Sequence, residues 1–145
     1  MQRLRGQLLG MLFMLIAQFL LGMAVNLFVT ITRHHPGANP SEFFSGAAKS
    51  VFWAISQAPV LLILHAILGL LLAVNSIVIL VAAFRLPSTA VRVLAALGAL
   101  GIIGAGFNGA SFLNYNHDVN SYVMSVGFAL ATVVYVQMLA MTPAG

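Results

Sequence analysis

From Pro59 to Phe84 the chain reads PVLLILHAILGLLLAVNSIVILVAAF, and no residue in that run is charged. As a helix rising 1.5 Å per residue, the run reaches ~39 Å, more than the ~30 Å hydrocarbon core of a bilayer. It does not alternate apolar and polar residues, as the strands of a membrane barrel do. In hydrocarbon each backbone amide must be paired inside the structure, and a helix achieves that alone. The stretch is therefore read as a membrane-spanning helix.

Three similar runs lie on either side of it. The first covers residues 6–31, behind the basic start Met1-Gln2-Arg3-Leu4-Arg5. Its apolar stretch is far longer than the ~7–15 residues of a signal-peptide core, so it is read as an uncleaved first span. The third covers 91–113 and the fourth 121–141. The expected architecture is all-α, an integral membrane bundle of four transmembrane helices forming one domain over 1–145. The composition agrees with it: 61% of residues are hydrophobic and 6% charged, against roughly 25% charged in a soluble domain.

The connections carry the breakers. Residues 32–58 join spans one and two, and begin with Arg33, His34, His35, Pro36, Gly37 and Pro40. The segment 41–57 follows, with Ser41 placed as a helix N-cap. Its mixture of Phe43, Phe44, Phe52 and Trp53 with polar residues suits a short helix at the membrane interface. It either lies flat there or runs straight into span two, where Pro59 suits the first turn. Arg85-Leu86-Pro87-Ser88-Thr89 makes the next turn, with Ser88 as a cap for span three. Residues 114–120 make the last.

The chain carries a net charge of +4, but its six basic residues stand singly near span ends, so no nucleic-acid surface is expected. They set topology instead. Arg3, Arg5, Arg85 and Arg92 fall at one end and Arg33 and Lys49 at the other. The positive-inside rule then puts both termini in the cytoplasm. Without cysteine there is neither a disulfide nor a thiolate metal site.

Lipid supplies no hydrophobic drive between helices, so close packing must come from small residues. Span three has Gly98, Gly101, Ala105, Gly109 and Ala110, which argues for a central place in the bundle. Gly104-Ala105-Gly106-Phe107-Asn108-Gly109 also spells a dinucleotide fingerprint, but inside an apolar helix, without the preceding strand that motif requires.

The polar residues within the spans are the candidate site. Asn26, His65, Asn108, Ser111 and Ser121 fall at similar depth near the outer face, with Asn114 and Asp118 just beyond. Gln18, Asn75, Ser76 and Gln137 lie elsewhere in the spans. His65 is the only histidine within a span. It reads either as a core residue hydrogen-bonded to Asn26, Asn108 or a carbonyl, or as a ligand for haem or a metal, since neutral imidazole binds haem iron, zinc and copper. His35 and His117 are candidate second ligands, with His34 nearby and Asp118 placed to orient an imidazole. Equally, His34-His35-Pro36 reads as a solvated turn and His117-Asp118 as a helix cap. Glu42 and Asp118 are the only acids and both lie in connections, so two-carboxylate hydrolysis is not expected. No catalytic set is legible.

Several stretches together carry a resemblance: Asn26-Leu27-Phe28-Val29-Thr30-Ile31, His35-Pro36-Gly37, His65-Ala66-Ile67-Leu68-Gly69 and, most specifically, Gly106-Phe107-Asn108-Gly109-Ala110-Ser111-Phe112-Leu113-Asn114-Tyr115-Asn116. With these the chain resembles a set of small bacterial four-helix membrane proteins along nearly its whole length. The resemblance implies the fold and a place in the bacterial inner (plasma) membrane, with no activity attached. Members carry an acidic or small polar residue where this chain has His117, which leaves His65 the stronger ligand candidate.

Three functional readings remain. The first is an accessory or structural membrane subunit, bathed in lipid and associating with itself or with a larger complex. The second is a haem b or metal protein built on His65. The third is a small-ligand sensor or transport component using the outer polar layer.

Overall fold

The computed structural model describes residues 2–142. The described chain forms five helices and no strand: α1 (Gln2–Phe28), α2 (Phe43–Ser56), α3 (Val60–Phe84), α4 (Thr89–Tyr115) and α5 (Asp118–Met141). Of these, α1, α3, α4 and α5 are long and apolar enough to cross a membrane. The chain is a small multi-pass membrane protein of the expected helical class.

The four long helices form a ring in the order α1, α3, α4, α5 and back to α1, and α2 lies across α3 and α4. α4 packs most extensively on α5 and does not touch α1. Span three, expected to be central from its small residues, is the most buried of the four and packs on α3, α5 and α2, though the ring keeps it from α1.

Where the helices end follows from local chemistry. α1 stops at Phe28, three residues before the expected boundary. Val29, Thr30, Ile31 and Thr32 follow, four β-branched residues in a row, and these favour extended backbone. Ser41 is not the cap of α2. Glu42 takes that place with extended backbone, its carboxylate accepting from the Phe44 and Ser45 amides. α2 does not continue into α3. The amides of Gln57 and Ala58 both fold back to the Trp53 carbonyl, and Pro59 forces the residue before it out of helical geometry. Pro59 itself caps α3 by position, its carbonyl accepting from Leu62 and Ile63.

The last connection is shorter than 114–120, because Asp118 and Asn120 lie in the first turn of α5 and Asn114 within α4. Only Asn116 and His117 separate the two helices. Asn116 takes the left-handed conformation, φ 53°, and its amide donates to the Phe112 carbonyl at 2.7 Å. Asparagine tolerates that conformation better than other side-chain-bearing residues. Ser88 caps α4 as expected, accepting from the Val91 amide at 3.4 Å.

Arg3, Arg5, Arg85 and Arg92 gather at one end of the ring, here called the arginine end. Arg5 donates to the Thr142 carbonyl at 2.7 Å and the Leu139 carbonyl at 3.4 Å, joining the start of α1 to the end of α5. Arg92 donates twice to the Leu86 carbonyl, at 2.9 and 2.6 Å. A cation suits the unpaired carbonyls at a helix C-terminus.

The main core occupies the half of the ring nearer that end. Leu4, Leu8, Met11 and Leu15 of α1 meet Leu72, Ile79 and Ala83 of α3, Val91, Ala95 and Ile102 of α4, and Ala131, Tyr135 and Met138 of α5. Small residues set the α4–α5 distance. A Cβ on Gly101 would lie 2.7 Å from the Gly127 carbonyl oxygen, and one on Gly127 would lie 2.6 Å from the Gly101 carbonyl oxygen. The two backbones touch there, and only glycine fits. Gly98 likewise makes room for the ring of Tyr135. Residues 104–109, the apparent dinucleotide fingerprint, lie inside α4.

Candidate functional site

Two polar clusters emerge, and neither is the single layer expected from depth. The first lies between α1 and α3. His65 pairs with Gln18, Nε2 to Nε2 at 3.3 Å. Asn26 and Asn108, the partners expected for His65, are not used. Gly22 faces the His65 ring, where a Cβ would stand 3.1 Å from Cε1, and Gly69 faces the Gln18 amide at 3.3 Å. The two glycines let α1 and α3 close over the pair. In this antiparallel register four residues forward on α1 match four backward on α3, which brings Asn26 level with Leu61. Asn26 is exposed in the last turn of α1. Asn108 donates to the Gly104 carbonyl of its own helix at 2.9 Å. The pair keeps two buried atoms without partners, His65 Nδ1 and Gln18 Oε1.

The second cluster closes the end of the ring opposite the arginines. Here the connection 29–42 and α2 are fastened to the last turn of α4. Asn114 is buried at its centre. Its Oδ1 accepts from the Ser50 hydroxyl at 2.8 Å, its Nδ2 donates to the Phe43 carbonyl at 3.2 Å, and its own carbonyl accepts from the Asn39 amide at 2.7 Å. One residue of α4 thus holds two points on α2 and one on the connection.

His35, also buried, holds a fourth point. Nε2 lies 3.1 Å from the Leu113 carbonyl and Nδ1 3.1 Å from the Pro36 carbonyl. The ring stacks on Trp53 of α2, with centroids 4.2 Å apart and planes at 12°. Gly37 makes the fit possible. Its φ of 94° is open to glycine, and a Cβ there would run into Gly46 and Ser50 of α2. Sequence reasoning placed Asn114 and His35 among the candidates but missed Ser50, Trp53 and Gly37 as their partners. The small residues Gly46, Ser50 and Ala54, spaced by four along α2, were the signal for its buried face.

The other candidates stand apart. His117 is exposed and stacks beside Tyr115, centroids 6.0 Å apart. Asp118 and Ser121 are exposed in the first turns of α5, and Ser111 is half-buried on α4. Among the described residues no three His, Asp or Glu side chains gather as a metal site would need. The structure therefore does not assemble His35, His65, His117 and Asp118 into one constellation. His35 spends both nitrogens on carbonyls. His65 keeps one nitrogen free, but α1 lies over its ring.

Two small depressions flank the clasp. One of ~20 Å³ is lined by Arg33, Asn39 and the end of α4. The other, ~210 Å³ and open, lies between residues 37–42 and α2, with Glu42 and Lys49 at its rim. Glu42 is held below the usual carboxylate range by the amides of Ser45 and Phe44.

No family model matches this chain, and no curated protein or solved structure matches it.

Proposed function

We propose that this protein is an accessory or structural membrane subunit that acts by associating with copies of itself within the bilayer. The observation that supports this reading is Asn75. It lies near the middle of α3, half-buried, and no side-chain hydrogen bond found among the described residues involves it. An amide left unpaired in an apolar medium costs roughly 2–7 kcal/mol. A hydrogen bond across a helix interface recovers about 0.6–2 kcal/mol of that in a membrane. A second copy offers such a partner at the same depth. Gly6 and Gly10 on α1 add to the case: they are exposed, one turn apart, and nothing lies within 4 Å of a Cβ at either. Gly101 and Gly109, by contrast, pack against α5 within one chain and are not free to join two chains.

The test is the mass of the protein in mild detergent or nanodiscs, by light scattering, for wild type, Asn75→Leu and Gly6→Leu. A defined wild-type oligomer that dissociates in Asn75→Leu, with unchanged helical content, supports the reading. A monomer at all concentrations defeats it.

A second reading, haem b or a metal held by His65, has one observation in its favour: Nδ1 is buried without a partner. It requires α1 and α3 to part at Gly22. Absorption spectra of oxidised and reduced protein, with iron, copper and zinc analysis, decide it. A Soret band lost in His65→Ala supports haem. A clean spectrum without metal, from cells supplied with both, removes it.

A further inference from the structure

Four features of the clasp converge on one side chain. Both acceptors of His35 are main-chain carbonyls, which cannot donate. A neutral imidazole has a single N–H and can satisfy one of them; only the doubly protonated ring satisfies both. The Leu113 carbonyl belongs to the last turn of α4, where unpaired carbonyls favour a cation. The ring lies flat against the indole face of Trp53, which also favours a cation. Finally, the clasp has no slack at Gly37, where the connection rests on α2.

We propose that His35 is a proton-dependent latch: the doubly protonated ring fastens the connection 29–42 and α2 to the end of α4, and loss of one proton releases one of its two anchors. The latch is independent of the association proposed above. Its sign is fixed by the acceptors. The second proton's contribution is complete in acid and is lost as pH rises, because only the doubly protonated ring donates to both carbonyls.

The neighbouring groups that also carry charge or titrate are Arg33, His34 and Glu42 on the connection, Lys49 on α2, Tyr115 on α4, His117 just before α5 and Asp118 on α5. Arg33, His34, Lys49 and His117 are exposed. The Glu42 carboxylate is engaged by the amides of Ser45 and Phe44, which hold it below the usual carboxylate range. His117 stacks on Tyr115 instead of facing His35.

Trp53 is the only tryptophan, so its fluorescence reads the stack directly. A charged imidazolium accepts an electron from excited indole more readily than the neutral ring, and so quenches it more. The experiment follows tryptophan emission of the full chain in mild detergent from pH 4.5 to 8.5. The expected result is a sigmoidal rise in emission with pH, abolished in His35→Gln and retained in His34→Gln and His117→Gln. The melting-temperature gap between wild type and His35→Gln should widen as pH falls. A flat wild-type curve overturns the proposal, as does a titration that survives in His35→Gln. Should His35→Gln fail to fold, ¹⁵N-histidine spectra of the wild type decide instead. A second ring proton on His35 that is present in acid and lost as pH rises supports the latch, and a ring nitrogen that stays bare across the whole range overturns it.

Discussion

The two ends of this bundle are held by different means. Near the arginine end, apolar side chains fill the ring and α4 meets α5 backbone to backbone at Gly101 and Gly127. At the opposite end a polar network of Asn114, Ser50, His35 and main-chain carbonyls fastens a short helix and a loop. The difference reflects the solvent at each place. In hydrocarbon an apolar side chain gains little by leaving lipid, so shape and close approach must provide the contact. Near the membrane surface water competes for each polar group. There a hydrogen bond holds well only when it is buried, as the one between Ser50 and Asn114 is.

The largest effect should come from breaking the backbone contact. Gly101→Leu puts a side chain where the Gly127 carbonyl stands, and overpacking of this kind costs about 1–3 kcal/mol or more. Gly106→Leu, on the same helix, adds its side chain to open space. Thermal melts in detergent should show a large loss for the first and almost none for the second. Equal losses would mean that general helix propensity, not the α4–α5 contact, governs this half of the molecule.

Next in size is the clasp. Asn114→Leu removes the side-chain bond to the half-buried Phe43 carbonyl and strands the buried Ser50 hydroxyl, and a stranded buried group costs about 1–3 kcal/mol. Adding Ser50→Ala removes that stranded hydroxyl, so the double variant should lose less than the sum of the two single ones. Limited proteolysis should show cleavage near Arg33 and Lys49 rising in Asn114→Leu while the membrane-embedded fragments stay intact. Unfolding of the whole bundle at the same rate would join the two ends into one cooperative unit and erase the distinction between them.

The arginine end was the more legible half. Four long apolar runs announced four helices, and Arg3, Arg5, Arg85 and Arg92 announced that their ends meet. The close packing of Gly101 followed from its helix's small residues. What stayed hidden was register. The depth of His65 could be counted from Pro59, yet its partner depended on how far α1 slides along α3, and Gln18 took the place expected for Asn26. The clasp was half legible for a similar reason. Asn114 and His35 stand out as polar residues beside apolar runs, but Ser50 and Trp53 become their partners only once α2 folds back over α4. Hydropathy does not encode that turn; Pro59 and Gly37 do, through backbone geometry. The cap of α2 was misplaced by one residue because Ser41 and Glu42 both suit the role, and the carboxylate reaches two amides where a hydroxyl accepts chiefly from one.

That cap gives the smallest effect and the sharpest control. Glu42 is exposed, so its contribution to stability is modest, but the two amides bind its carboxylate more strongly when it is ionised. The amides of Ser45 and Phe44 lower its proton affinity in the folded chain relative to the unfolded one. The stabilisation it gives is therefore present above the ordinary carboxylate value and disappears as pH falls through the lower folded value. In Glu42→Gln the cap no longer ionises, and the melting-temperature difference from wild type should shrink as the solution is made acidic. The latch at His35 carries the opposite sign and strengthens toward acid. Two pH dependences of opposite sense on the same short segment would show that the clasp is governed by local protonation at each of its ends. If the Glu42→Gln difference stays constant with pH, the cap works through packing and helix geometry rather than charge. The contrast between a polar, titratable end and an apolar, pH-insensitive one would then rest on His35 alone.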